Sequence, residues 1–98
     1  MLDNKKIADV TYREIRLMLH AIGYEGYKIT GTKYHRFTPH RNYFDAGPAD
    51  IPYMEHLTEI GLMRKFTAYQ GKECWCVSDD GRAFLTLVTG ISIMEEID

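Results

Sequence analysis

Residues 53–87, YMEHLTEIGLMRKFTAYQGKECWCVSDDGRAFLTL, contain the pattern that decides the fold. Met54, Leu57 and Ile60 recur at helical spacing, and Gly61 follows them as a residue that can end a helix in the left-handed conformation. The β-prone residues that come next are divided by a turn-like Gln-Gly-Lys sequence, which predicts two short strands. The stretch therefore predicts a helix followed by a β-hairpin over residues 62–77.

A last helix is predicted over residues 79–89, directly after the hairpin. Ser78 can cap its N-terminus, and Asp79 and Asp80 place negative charge where the helix dipole favours it. Gly90 can end the helix. The residues predicted to line its core side are Phe84, Leu85 and Val88.

The return strand of the hairpin has two distinguishable faces. Trp75 and Val77 share one face, which should be buried because Val77 lies next to the helix cap, whereas Cys74 and Cys76 share the other. A disulfide between residues two apart would be strained, so free thiols in a reducing compartment are expected. No metal site is expected, because the four histidines do not follow a recognisable ligand spacing with these cysteines.

The N-terminal part predicts one amphipathic helix over residues 3–22. Asp3 or Asn4 can cap it and Gly23 can stop it. Arg13 and Arg16 are expected on its solvent side. The predicted core stripe consists of Ala8, Tyr12, Ile15, Leu19 and Ile22, widened by Val10, Thr11 and Met18.

Residues 23–49 predict an irregular basic and aromatic segment, because glycine and proline interrupt it repeatedly. A loose hairpin turning near Gly31 and a single helical turn over residues 40–44 are the elements expected there. The central helix is predicted over residues 50–61 with Asp50 as its cap and His56 on its outer face. The apolar tail, residues 91–98, is expected to pack on the first helix or to mediate self-association.

The chain of 98 residues, 45% of them hydrophobic and 27% charged, is expected to form one domain. The predicted class is α+β and winged-helix-like: first helix, irregular basic segment, central helix, two-stranded β wing and C-terminal helix. No apolar run approaches the roughly 20 residues that span a bilayer, and no secretory signal is visible at the N-terminus. A cytoplasmic protein without a membrane partner is therefore expected.

Several short motifs carry a resemblance to a group of small uncharacterised phage- and prophage-encoded proteins. They are Arg41-Asn42-Tyr43-Phe44, Ala46-Gly47-Pro48, Leu57 with Gly61-Leu62-Met63, and Val77-Ser78-Asp79-Asp80-Gly81. Ser78 stands where that group usually has threonine, and residues 26–39 depart from its pattern. The resemblance covers roughly residues 40–86 and implies phage origin and fold rather than a chemistry. Residues 61–85 resemble winged-helix regulators more distantly.

An enzyme is not expected, because the sequence has no phosphate-binding loop, no His-Glu-x-x-His motif and no nucleophile elbow. No cofactor and no small-molecule ligand are evident either. The pair Asp79 and Asp80 is explained by helix capping. Arg41, Asn42 and Tyr43 offer donors beside an aromatic ring, but Arg41 pairing with Asp45 is the more ordinary interpretation.

Charge is segregated along the chain. Residues 26–44 contain no acid, whereas from residue 45 onward ten acids face four bases. This distribution favours nucleic-acid binding by the basic segment, with phosphate contacts from lysine and arginine and base stacking on tyrosine. The candidate residues are Lys28, Lys33, Arg36, Arg41, Tyr34 and Tyr43.

The central helix argues against ordinary major-groove recognition. Asp50, Glu55 and Glu59 give it three negative charges with no lysine or arginine, and these would repel the phosphates that border the groove. The alternative function is an adaptor that binds a host or phage protein, or a second copy of itself, through this acidic helix and the apolar tail.

Overall fold

The computed structural model describes residues 4–24, 36–39 and 41–95, which form four helices and four strands. The helices are α1 (Asn4–Ile7), α2 (Tyr12–Ala21), α3 (Ile51–Glu59) and α4 (Asp79–Thr89). The strands are β1 (Arg36–Phe37), β2 (Met63–Thr67), β3 (Glu73–Val77) and β4 (Ser92–Ile93). The predicted α+β class is confirmed.

Strands β2 and β3 form the predicted hairpin. They pair antiparallel, with Met63 opposite Val77 and Thr67 opposite Glu73. The tip is a 3-10 turn, Tyr69–Gly71, in which Gln70 and Gly71 both have positive φ (65° and 77°). Trp75 and Val77 are buried as predicted, because alternate residues of a strand face the same side.

Phe44 forms an isolated antiparallel bridge with Trp75 at the edge of the hairpin. Its N–H donates to the Trp75 carbonyl at 2.7 Å, and its carbonyl accepts from the Trp75 N–H at 3.0 Å. The helical turn predicted over residues 40–44 is therefore wrong for the part that the structure describes. No helical turn forms there, because the Tyr43 N–H donates to the Ala21 carbonyl and the backbone of Phe44 pairs with Trp75.

The start of α4 is built as the sequence predicts. Ser78 Oγ accepts from the Gly81 N–H at 3.0 Å and donates to the Gly61 carbonyl at 2.6 Å, so one hydroxyl joins the ends of two helices. Gly90 adopts the left-handed conformation at the C-terminus, with φ of 73°. Phe84 and Leu85 are buried, but Val88 is exposed, which corrects its predicted core position.

The N-terminal helix predicted over residues 3–22 is divided in two. Thr11 caps α2 through a capping box: its Oγ1 accepts from the Glu14 N–H at 3.2 Å, and Glu14 Oε1 accepts from the Thr11 N–H at 2.9 Å. The buried side of α2 holds Glu14, Met18 and Ala21. Tyr12 was predicted to be core and is instead 74% exposed, because the helix is rotated relative to the predicted stripe.

Helix α3 packs against α2 through polar contacts that local sequence did not indicate. The Glu14 side chain is almost fully buried and faces His56 Nδ1 at 2.5 Å, so His56 does not lie free on an outer face. Asp50 occupies the cap position of α3, but its side chain makes no capping hydrogen bond. Instead it pairs with Arg13 of α2 at 2.8 Å.

The described part of the tail, residues 91–95, packs against β1 and α4. Strand β4 pairs in parallel with β1, with Arg36 opposite Ser92 and Phe37 opposite Ile93. Ile93 is buried, and its N–H donates to Thr86 Oγ1 at 3.0 Å. Residues 96–98 and the hairpin predicted near Gly31 lie outside the described residues.

The core lies between the helices and the inner face of the hairpin. Its fully buried side chains include Met18, Ile22, Met54, Leu57, Leu62, Met63, Val77 and Leu85. Cys74 is buried and Cys76 half-buried, and both are free thiols. Within the described residues, no helix combines the length and the apolar character needed to cross a membrane.

Candidate functional site

A groove of about 570 Å³ runs along the outer side of α2. Its floor and walls combine basic and aromatic side chains with one acid at the start of α3. The lining residues are Tyr12, Arg13, Arg16, Leu17, His20, Phe44 and Asp50. The groove is therefore a surface on which a charged ligand can contact two arginines and a histidine together.

The basic residues of the groove form a row along one helix face. Arg13, Arg16 and His20 are three and four residues apart, which places them on the same side of α2. At ~1.5 Å of rise per residue, the row is about 10 Å long. Such a row can run beside the backbone of an extended polyanion.

Arg16 is the most available cation in this row. Its guanidinium lies 5.9 Å from the centre of the exposed Tyr12 ring, a cation–π contact that supplies no carboxylate. Among residues 4–24, 36–39 and 41–95, no carboxylate forms an ion pair with it. Arg13, in contrast, is held by Asp50 at 2.8 Å and lies over the Tyr53 ring.

Arg41 adjoins the groove at the C-terminal end of α2. Its Nη2 donates to the His20 carbonyl at 2.8 Å, at the negative end of the helix dipole. Its Nε is buried without a hydrogen-bond partner in the described structure. The expected pair with Asp45 does not form, because Asp45 binds Lys72 at 2.5 Å and raises the pKa of that lysine.

Asn42 and Tyr43 connect this end of the groove to the sheet. The Asn42 side chain accepts from the Val77 N–H at 2.7 Å and donates to the Val77 carbonyl at 2.9 Å, so it clamps β3 and does not close a turn. The Tyr43 N–H donates to the Ala21 carbonyl at 3.1 Å, while 55% of its side chain stays exposed. The aromatic ring is thus available next to the last turn of α2.

The predicted site residues are only partly brought together. Arg41 and Tyr43 lie at the end of the groove, whereas Arg36 is exposed on β1 and does not line it. Lys28, Lys33 and Tyr34 lie outside the described residues. The prediction missed Tyr12, Arg13, Arg16 and His20, for which the one available signal was the spacing of Arg13, Arg16 and His20.

A second depression, of about 500 Å³, has the opposite charge. Arg64 lies in it with the three carboxylates of Asp79, Asp80 and Glu95. Within the described residues, no three histidine, cysteine or carboxylate side chains are arranged to hold a metal ion. The positive groove on α2 is therefore the better candidate for an anionic ligand.

Comparison with known proteins found no matching family model, no matching curated protein and no matching solved structure. The functional inference consequently rests on the chemistry of the groove.

Proposed function

We propose that this protein binds nucleic acid through the groove on α2 and the adjoining residues 41–44. The observation that supports the proposal best is Arg16, whose guanidinium contacts no carboxylate of the described residues and lies beside the exposed Tyr12 ring in a groove that also holds Arg13 and His20. Guanidinium groups bind phosphate oxygens with two hydrogen bonds, and tyrosine rings can stack on bases. The combination matches a polyanion that also carries flat aromatic groups.

The distribution of ion pairs supports the same surface. Lys65 is bound to Glu73 at 3.0 Å, Lys72 to Asp45 at 2.5 Å and Arg82 to Asp79 at 2.6 Å, so these cations are compensated internally. In the described residues Arg16 and Arg41 contact no carboxylate. Their charges are available to replace the counterions of a phosphate backbone.

The order of elements is compatible with a winged-helix-like regulator of phage type, which forms part of the proposal. Helix α2, the Phe44 bridge, α3, the β2–β3 wing and α4 follow one another along the chain. In that arrangement α3 would occupy the position of the recognition helix. Since Glu55 and Glu59 are exposed on it, we place the contact on α2 instead.

The first prediction is that Arg16→Ala weakens nucleic-acid binding and lowers its salt dependence. Loss of one phosphate contact should reduce the slope of log K against log salt by about one unit for duplex and somewhat less for a single strand. The measurement is fluorescence anisotropy of labelled oligonucleotides from low to moderate salt. Arg64→Ala is the matched control, because that exposed arginine lies among three carboxylates.

Equal losses of affinity in the Arg16 and Arg64 variants would show that total charge, and not this groove, determines binding. Absence of binding at low salt, where phosphate attraction is strongest, would contradict the proposal. Circular dichroism of both variants serves to verify that the fold is retained.

A protein-binding function is the second candidate, and one observation favours it. Leu87 and Val88 of α4 and Met94 beyond it are exposed although apolar. Such side chains can form the centre of a protein interface. A full-length protein that fails to bind oligonucleotides and sediments as a dimer, with the monomer restored by Leu87→Ser, would support this function over nucleic-acid binding.

A further inference from the structure

We infer that the groove takes single-stranded nucleic acid in preference to duplex, with one base stacked at each end of the arginine row. This inference rests on the proposed function and specifies its ligand. Three features of the described residues lead to it: two exposed tyrosines near the ends of the row, a single line of cations, and an acid at the start of α3 beside that line.

The two tyrosines stand at opposite ends of α2. Tyr12 is in its first turn and 74% exposed, and Tyr43 is attached by its backbone to Ala21 in the last turn and 55% exposed. The levels of residues 12 and 21 are about 14 Å apart along the helix axis. In a duplex the faces of the bases are covered by their neighbours, so these rings can stack on bases of a single strand only.

The row of cations can contact the phosphate backbone of one strand but not those of two strands at once. Arg13, Arg16 and His20 form one row, and α3 lies directly beside it, joined by the contact of Arg13 with Asp50. Packed helices are about 8–10 Å apart. The phosphates of a complementary strand lie roughly 6–12 Å away across the grooves of a duplex. They would thus approach Asp50, the acid at the start of α3.

The separation of the two tyrosine levels limits the size of the site. A span of about 14 Å corresponds to about four phosphates at the ~3.4 Å spacing of a stacked strand, and to fewer when the strand is extended. Sites of a few nucleotides that combine cations with aromatic rings bind single strands with little sequence preference. We therefore expect a short site that accepts DNA or RNA of any sequence.

The test compares a labelled deca-thymidine strand with a hairpin duplex of equal phosphate number at the same salt concentration. The wild type should bind the single strand at least about fivefold more tightly. Tyr12→Ala and Tyr43→Ala should each weaken single-strand binding by about tenfold, while Tyr12→Phe and Tyr43→Phe retain it, because the ring and not the hydroxyl stacks. Tyr69→Ala is the matched control, since Tyr69 is 89% exposed at the hairpin tip.

The outcomes separate this inference from the proposed function. Duplex binding equal to or tighter than single-strand binding would overturn the inference alone, provided that Arg16→Ala still weakens both. Full single-strand affinity in the two alanine variants would overturn it as well. If the wild type binds neither oligonucleotide at low salt, the inference and the proposed function fail together.

Discussion

At the scale of single residues, Gly81 shows how one missing side chain permits the contact of α4 with the start of the hairpin. A Cβ atom at this position would lie 2.1 Å from the Leu62 carbonyl oxygen and 2.7 Å from Val77 Cγ1. The Leu62 carbonyl also accepts a hydrogen bond from the Ser78 N–H at 3.1 Å, so it cannot easily move away. Backbone proximity therefore requires glycine here, although its φ is not in the left-handed region.

Gly81→Ala is predicted to destabilise the protein by about 2 kcal/mol or more, as overpacking against fixed atoms does. Helix propensity alone predicts the opposite, a gain in stability of up to ~1 kcal/mol. The sign of the measured change in the free energy of unfolding therefore shows which of the two effects is larger. Urea unfolding measures this change in the free energy of unfolding. Gly47→Ala is the control, because no atom lies within 4 Å of the added Cβ and its φ is not positive. Unchanged stability of Gly81→Ala would show that α4 can shift away from Leu62.

At the scale of elements, residues 41–44 join α2 to the sheet and so position the end of the groove. Phe44 exchanges two backbone hydrogen bonds with Trp75, and the Asn42 amide exchanges two more with Val77. The Asn42 side chain thereby acts as a short length of strand backbone along the edge of β3. Because Arg41 and Tyr43 flank this amide, the clamp fixes where their side chains can lie.

Asn42→Ala is predicted to cost about 2–3 kcal/mol, because it leaves the N–H and the carbonyl of the buried Val77 without partners. Asn42→Asp should also destabilise, since one of its oxygens would face the Val77 carbonyl. Thermal unfolding measures both, and hydrogen exchange at the Val77 amide should accelerate in both variants. A loss below about 0.5 kcal/mol, as at an ordinary surface position, would mean that water replaces the amide.

At the scale of the whole molecule, charges are sorted between two surfaces, although the net charge is only −2. The groove on α2 holds Arg13, Arg16 and His20, while the depression beside α4 holds Asp79, Asp80 and Glu95. Asp50 is the exception, an acid inside the positive groove. It neutralises Arg13 and so competes with any phosphate for that guanidinium.

Asp50→Asn is predicted to tighten oligonucleotide binding several-fold and to steepen its salt dependence by roughly one unit, because it frees Arg13. The cost in stability should stay within about 1 kcal/mol, the usual range for a largely exposed ion pair. Anisotropy titration measures the affinity. Glu59→Gln removes a charge from the same helix outside the groove; equal tightening in both variants would assign the effect to net charge.

The sequence alone determined the elements whose signals are local. The helix over Asp79–Thr89 follows from Ser78 and Gly90 at its ends, and the hairpin from alternating residues around a turn-like tip. The signal for the break in the N-terminal helix was also local, since Thr11 and Glu14 form a capping box, but the predicted apolar stripe ran through it. Local signals work because caps and turns involve residues three or four positions apart.

Tertiary structure alone decided which faces are buried and which distant residues meet. Glu14 is buried because His56, 42 residues away, supplies its partner, and this contact turns Tyr12 outward. Likewise β4 pairs with β1, and Phe44 pairs with Trp75 of β3, through backbone hydrogen bonds that are independent of side-chain periodicity. The groove on α2 depends on both effects, because segments that are distant in the sequence together form its walls.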